Sequence, residues 1–165
     1  MLIFGIDPGT AVTGYGVIRT NNNAVSWVDS GVITTKTSST LAERLTKIYD
    51  SLIDLMQIHH PDCVCIEEAF YAKNVHSTLL LGHARGVAML AAFKNGAEVR
   101  EYSPREIKKA VTGNGNAAKE QVAFMVKMLV SVPKEHVHTD AYDALAIAIC
   151  DFNCCGRLKN QLRSG

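Results

Sequence analysis

The chain opens on an apolar run, Leu2-Ile3-Phe4-Gly5-Ile6, that ends on Asp7 and is broken by Pro8-Gly9. That is the signature of a buried strand closed by a turn. Strand-like residues resume near Thr13 and predict a second strand over Gly14 to Thr20. Asn21-Asn22-Asn23 then reads as a hairpin turn and Ala24 to Thr34 as a third strand. Strands joined so tightly form an antiparallel meander. The period then lengthens: Leu41, Leu45, Ile48, Leu52 and Leu55 recur at helical spacing behind Thr40-Leu41-Ala42-Glu43. A capping box at that point predicts a helix to about His59, stopped by Pro61. Cys63-Val64-Cys65-Ile66-Glu67 is a short buried strand, again ending on an acid.

From Ser77 to Lys94 the sequence predicts a helix that is apolar nearly all round, and such a helix is covered on more than one side. A dimer interface is favoured as the second cover over a place inside the monomer. Ala97 to Tyr102 reads as a fifth strand. Ser103-Pro104-Arg105-Glu106 starts a helix with Ser as N-cap, Pro in the first turn and Glu completing the box. Gly113-Asn114-Gly115 interrupts it, and Asn116 is positioned to cap a helix to about Val130. After a loop beginning at Pro133, Thr139 is positioned to cap a last helix from Asp140 to about Asn153, with Ala144, Leu145, Ala148 and Ile149 on its core face. The order predicts one α/β domain over residues 1–155, a five-stranded mixed sheet flanked by helices on both faces, with 156–165 as a flexible C-terminal tail.

Composition narrows this without redirecting it. The 165 residues, 47% hydrophobic and 20% charged, suit a single globular domain. The opening apolar run lacks a basic flank, and no apolar run approaches the ~20 residues that cross a bilayer, so the chain reads as soluble and cytosolic. Five cysteines without Cys-x-x-Cys spacing argue against a disulfide framework or zinc, and for reduced thiols filling apolar sites. The adjacent Cys154 and Cys155 could oxidise in vitro. Net charge is only +1, yet acids dominate from Asp29 to Glu68 and bases from Lys94 to Lys127. An acidic pocket beside basic surface suits a polyanion handled through metal ions.

Asp-Pro-Gly alone is ordinary turn chemistry. More acids downstream change its weight. If the first and fourth strands are parallel neighbours, Asp7 and an acid of Glu67-Glu68 leave the sheet about 4.8 Å apart, on the edge where α/β sites lie. Alternation sends Glu67 and Glu68 to opposite faces and leaves the choice between them open. Asp140 and Asp143 share one face of a helix start, where acids also suit the helix dipole. Like charges at 4 Å repel by about 4 kcal/mol at an effective dielectric of 20, so a cluster of four binds cations or protons. All-oxygen ligation selects Mg²⁺ or Mn²⁺, and two such ions would hydrolyse a phosphodiester. His136 and His138 read as solvated loop residues within reach of a proton transfer.

These residues resemble a known family. Gly5-Ile6-Asp7-Pro8-Gly9 with Thr13-Gly14-Tyr15-Gly16, Ile66-Glu67 with Phe70 and Ala72-Lys73-Asn74, and Gly82-x-Ala84-Arg85-Gly86 are similar to the RuvC family of Holliday-junction resolvases. So are Gly113-x-Gly115-x-Ala117-x-Lys119-x-Gln121-Val122 and Asp140-Ala141-x-Asp143-Ala144-Leu145-Ala146, in the family's order. The resemblance implies an RNase H-like fold, a cytoplasmic bacterial homodimer, dependence on Mg²⁺ with Mn²⁺ as substitute at one or two ions per site, and paired symmetric nicks in four-way junctions. It also implies a role in recombination and repair beside a branch-migration motor. By the same match Asp7, Glu67 (over Glu68), Asp140 and Asp143 are catalytic metal ligands, although some members carry histidine at the position of Asp140. Phe70, Lys73, Lys108 and Lys119 match DNA-contacting positions, Phe70 by stacking on an unpaired base. Lys119 also stands out physically, because a cation in a helix's first turn opposes the dipole unless a phosphate docks there. Asp7-x-Gly9-Thr10 also resembles the first phosphate loop of actin-like ATPases and sugar kinases, but the chain is too short for their second lobe. A junction-binding module without catalysis is the remaining alternative.

Overall fold

A computed structural model of the chain describes residues 1–21, 24–68, 74–132 and 138–163, with side chains described as far as Cys155. Strands β1 (Leu2–Asp7), β2 (Val12–Asn21) and β3 (Ala24–Thr34) form the expected meander. After helix α1 (Leu41–His59), strand β4 (Cys63–Glu67) pairs parallel with β1. Helix α2 (Val75–Lys94) then leads to β5 (Glu98–Tyr102), parallel to β4. The strands stand in the order β3-β2-β1-β4-β5, a five-stranded mixed sheet. Helices α3 (Pro104–Thr112), α4 (Lys119–Val130) and α5 (Thr139–Arg163) complete the chain.

Strand alternation divides the core. Phe4, Ile6, Val17, Val64 and Ile66 face α1 and α2, packed on Ile48, Leu52, Met56 and Ala88. Ile3, Ile18, Cys63 and Cys65 face the α3–α5 layer, packed with Leu145, Ile149 and Val126. The capping boxes at Thr40 and Ser103 form as predicted: each hydroxyl accepts the backbone N–H of Glu43 or Glu106, whose carboxylate accepts the cap's N–H in return. Helix α1 stops in a left-handed residue, His60 at φ 47°, just before Pro61.

Helices α4 and α5 differ in extent from the sequence-based expectation. Helix α4 begins at Lys119 rather than after Asn116, whose N–H is tied to the Asn114 side chain in a turn; Ala118 precedes the helix and its N–H is taken by Gln121. Helix α5 continues past Asn153 to Arg163 and is buried all round from Ala144 to Asp151, not on a single face. Helix α2 buries Ala84, Ala88, Ala91 and Ala92 within the monomer, while Leu79, Leu90 and Phe93 remain 57%, 53% and 76% exposed. The hairpin residues Asn22 and Asn23 lie outside the described residues, as does the loop beginning at Pro133.

Candidate metal centre at the carboxyl edge of the sheet

The position of α5 is set by glycines. On β1 and β2, Gly5, Gly14 and Gly16 all point at the α5 layer, and Gly5 pairs with Gly16 across the ladder. A Cβ on Gly5 would run into the carbonyl oxygen of Ala144, one on Gly14 into that of Asp140, and one on Gly16 into the Leu145 side chain. The helix therefore lies directly on backbone, closer than side chains on these strands would allow. Its first turn, with Asp140 and Asp143, is pressed against the end of β1 that carries Asp7.

Parallel pairing does the rest. Ile6 is level with Ile66, so Asp7 and Glu67 leave neighbouring strands side by side, on the face that also carries Gly5 and Cys65. One carboxylate oxygen from each of Asp7, Asp140 and Asp143 lies within 4.8 Å of the others. Glu67 shares with Asp7 and Asp143 a cleft of about 300 Å³, whose rim carries Lys108 and Lys119 and whose floor includes Ile107 and Val122. Glu68, left open by alternation, is exposed and uses its backbone N–H to bond Tyr102.

The electrostatics fit a cation-seeking cluster. Burial, then the charges of Glu67, Asp143 and Asp140, push the Asp7 carboxyl up to about 7. Glu67 is raised by burial and by Asp143, against the pull of Lys119 and Lys108. The Lys119 ammonium has entered the cluster, with Nζ 2.5 Å from Asp143 Oδ2 and 3.9 Å from Asp140 Oδ1. Its bond to Asp143 raises its own pKa. His138 Nδ1 lies 3.0 Å from Asp140 Oδ2, a partner that the sequence placed only in a solvated loop. Carboxylates already gathered around one cation are a donor set that suits a hard divalent ion.

The crossover junction endodeoxyribonuclease RuvC family model matches residues 3–151. The chain belongs to the RuvC family. The RuvC of Desulforamulus reducens is 46% identical over 91% of this chain and 92% of its own length. That of Syntrophotalea carbinolica is 50% identical over 93% and 95%. In structure, T. thermophilus RuvC in complex with Holliday junction substrate is similar with a TM-score of 0.88 and 30% identity, covering 95% of this chain and 96% of that one. The yeast mitochondrial Holliday junction resolvase Ydc2, at 15% identity and a TM-score of 0.69, shares the fold. The fold is thus RNase H-like, as the resemblance implied.

Of the RuvC-family positions singled out in the sequence, Asp7, Glu67, Asp140, Asp143, Lys108 and Lys119 converge on one edge of the sheet. Phe70 and Lys73 lie outside the described residues, as does His136. The glycine bed under α5 was not recognised as part of the site. Its signal was present, since Gly5, Gly14 and Gly16 recur at strand period beside Asp7.

Proposed function

We propose that this chain resolves four-way DNA junctions by paired symmetric nicks, each made where Asp7, Glu67, Asp140 and Asp143 hold one or two Mg²⁺ ions, with Mn²⁺ as substitute. As a RuvC-family endodeoxyribonuclease it acts on Holliday junctions in DNA recombination and repair. The observation that carries the metal assignment is the convergence of Asp7, Asp140 and Asp143 oxygens within 4.8 Å, from two elements far apart in sequence. When bound there, divalent ions supply an activated water and charge for the developing oxyanion.

The chain's own residues do the remaining work. Asp7, raised by burial, must lose its proton before it can ligate, and Glu67 fixes the opposite side of the cleft. Lys108 and Lys119 on the rim hold non-bridging phosphate oxygens, Lys119 giving up its bond to Asp143 for one to the phosphate. Phe70 stacks on an unpaired base and Lys73 adds a phosphate contact, both by the family match. The exposed stripe of α2 joins two copies so that two clefts face two strands. Residues 1–155 form the nuclease domain and the tail lies outside it. The protein works in the bacterial cytoplasm beside a branch-migration motor.

Synthetic four-way junctions incubated with and without Mg²⁺ test this. Symmetric nicks in opposed strands, only with the ion, are expected, with junction binding retained in its absence. Binding without cleavage under every divalent ion would leave a junction-binding module; ATP turnover would point to the kinase-like alternative.

A further inference from the structure

The face of β4 that ends in Glu67 carries two buried thiols, Cys63 and Cys65. Opposite them α5 brings Asp151, 0% exposed, and one turn later Cys155, half-buried. The sequence scatters these as Cys-x-Cys on a strand and Asp-x-x-x-Cys on a helix, so no zinc spacing announces them; only the fold joins the pairs. Cys63 Sγ lies 3.4 Å from Cys65 Sγ and 3.6 Å from Asp151 Oδ2, and Cys155 Sγ lies 3.9 Å from Asp151 Oδ1. Donor atoms of Cys63, Cys65 and Asp151 all lie within 4.8 Å of one another. Zn–S bonds of about 2.3 Å and Zn–O bonds of about 2.0–2.2 Å put tetrahedral edges at roughly 3.8 Å between sulfurs and 3.5 Å between sulfur and oxygen. Among Cys63, Cys65 and Asp151 the separations are already close to those edges, and Cys155, against the other carboxylate oxygen, stands just outside that triad.

The surroundings are those of an oriented ligand set. Tyr102 donates to Asp151 Oδ1 at 2.7 Å, and Arg100 bridges Oδ1 at 2.9 Å and Oδ2 at 3.1 Å. The same guanidinium nitrogen donates to Cys155 Sγ at 2.8 Å. These bonds fix the carboxylate with Oδ2 turned to Cys63, as partners outside a metal site fix its ligands. We propose that Cys63, Cys65, Asp151 and Cys155 form a thiolate-rich site for one zinc-class cation, distinct from the acidic cleft. Three thiolates and a carboxylate meet the ion's two charges and the Arg100 charge, leaving one net negative charge. Loading releases the thiol protons to solvent, so it strengthens as pH rises. Soft thiolates select Zn²⁺ and the hard cleft selects Mg²⁺, which sorts the two ions between the sites. The cation would clamp β4, which bears Glu67, to α5, which bears Asp140 and Asp143.

The test is a Co²⁺ titration of reduced, chelator-stripped full-length protein in excess Mg²⁺, which keeps Co²⁺ out of the acidic cleft. Near-ultraviolet sulfur-to-cobalt charge transfer, with the intense visible bands of tetrahedral cobalt, should saturate at one ion per chain. Zn²⁺ should bleach both and raise the Tm by several degrees. Cys155→Ser, at the accessible side, should weaken Co²⁺ binding at least tenfold, while Cys154→Ser should not. Cys63→Ser should abolish the charge transfer, with circular dichroism and junction binding confirming that the variant is folded. Absence of charge transfer in the wild type would reduce the cluster to a hydrogen-bonded thiol network. Unchanged Co²⁺ affinity in Cys155→Ser would equally overturn the four-residue site.

Discussion

Asp7 carries two opposed consequences of its position. Its carboxyl sits at about 7 instead of 3.8, through burial first and then the neighbouring acids, so between those values the folded chain holds a proton that the unfolded chain has lost. The stability this contributes is complete below 3.8 and disappears as pH rises through about 7. Without divalent ions the Tm should therefore fall from about pH 5 to about pH 8, by an amount equivalent to at most about 3 kcal/mol. Glu67 is raised too and adds to the fall. Asp7→Asn should flatten the profile and melt higher than wild type at the alkaline end. Differential scanning calorimetry in chelator checks both, and a Tm that rises over this window refutes the assignment. In catalysis the same change acts the other way: Asp7→Asn should lower the cleavage rate at least about a hundredfold, a barrier change near 3 kcal/mol, and leave junction binding intact. Near wild-type cleavage would remove Asp7 from the ligand set. Lys119→Ala should slow cleavage and flatten the salt dependence of junction binding by about one unit of log K against log salt.

Between the single side chain and the fold, the deciding contact is α5 on the glycines of β1 and β2. Gly14→Ala would place a methyl 2.1 Å from the Asp140 carbonyl oxygen, so the first turn of α5 must move. Overpacking of this kind costs about 1–3 kcal/mol, and the displacement falls on two of the acids. Gly14→Ala should therefore lose cleavage out of proportion to its lowered Tm. Equal losses of activity and stability in Gly14→Ala would make the glycine bed merely structural. Elements with local signals were legible in the sequence: Thr40 and Ser103 announce their helices, and the strand ending on Asp7 is written in six residues. Elements defined by distant contacts were not. Asn116 has the side chain of a cap but is held in a turn by Asn114, and α5 is buried on every side by the sheet, α3 and α4. Asp140 and Asp143 were legible as residues; what brings them to Asp7 is a backbone approach that the strand glycines permit but that no local pattern ties to α5.

On the proposed reading each domain makes one nick, so resolving a junction takes two copies. The monomer leaves Leu79, Leu90 and Phe93 of α2 open to solvent, whereas the alanines on the opposite side of that helix are fully buried. Burying apolar side chains of this size contributes about 1.5–3 kcal/mol each, and a two-fold interface counts every residue twice. Leu90 and Phe93 lie about one turn apart near the C-terminal end of α2, away from the acidic cleft, and their replacement touches no acid. Phe93→Glu combined with Leu90→Glu would set like charges against each other across the symmetry axis. The expected result is a folded monomer by analytical ultracentrifugation, with circular dichroism and Tm close to wild type. Its cleft would still be complete, so nicking should persist while the two cuts lose their coordination: single nicks should accumulate before any linear product. A variant that stays dimeric, or a monomer that still makes paired cuts at the wild-type ratio, would place the second active site somewhere other than across α2.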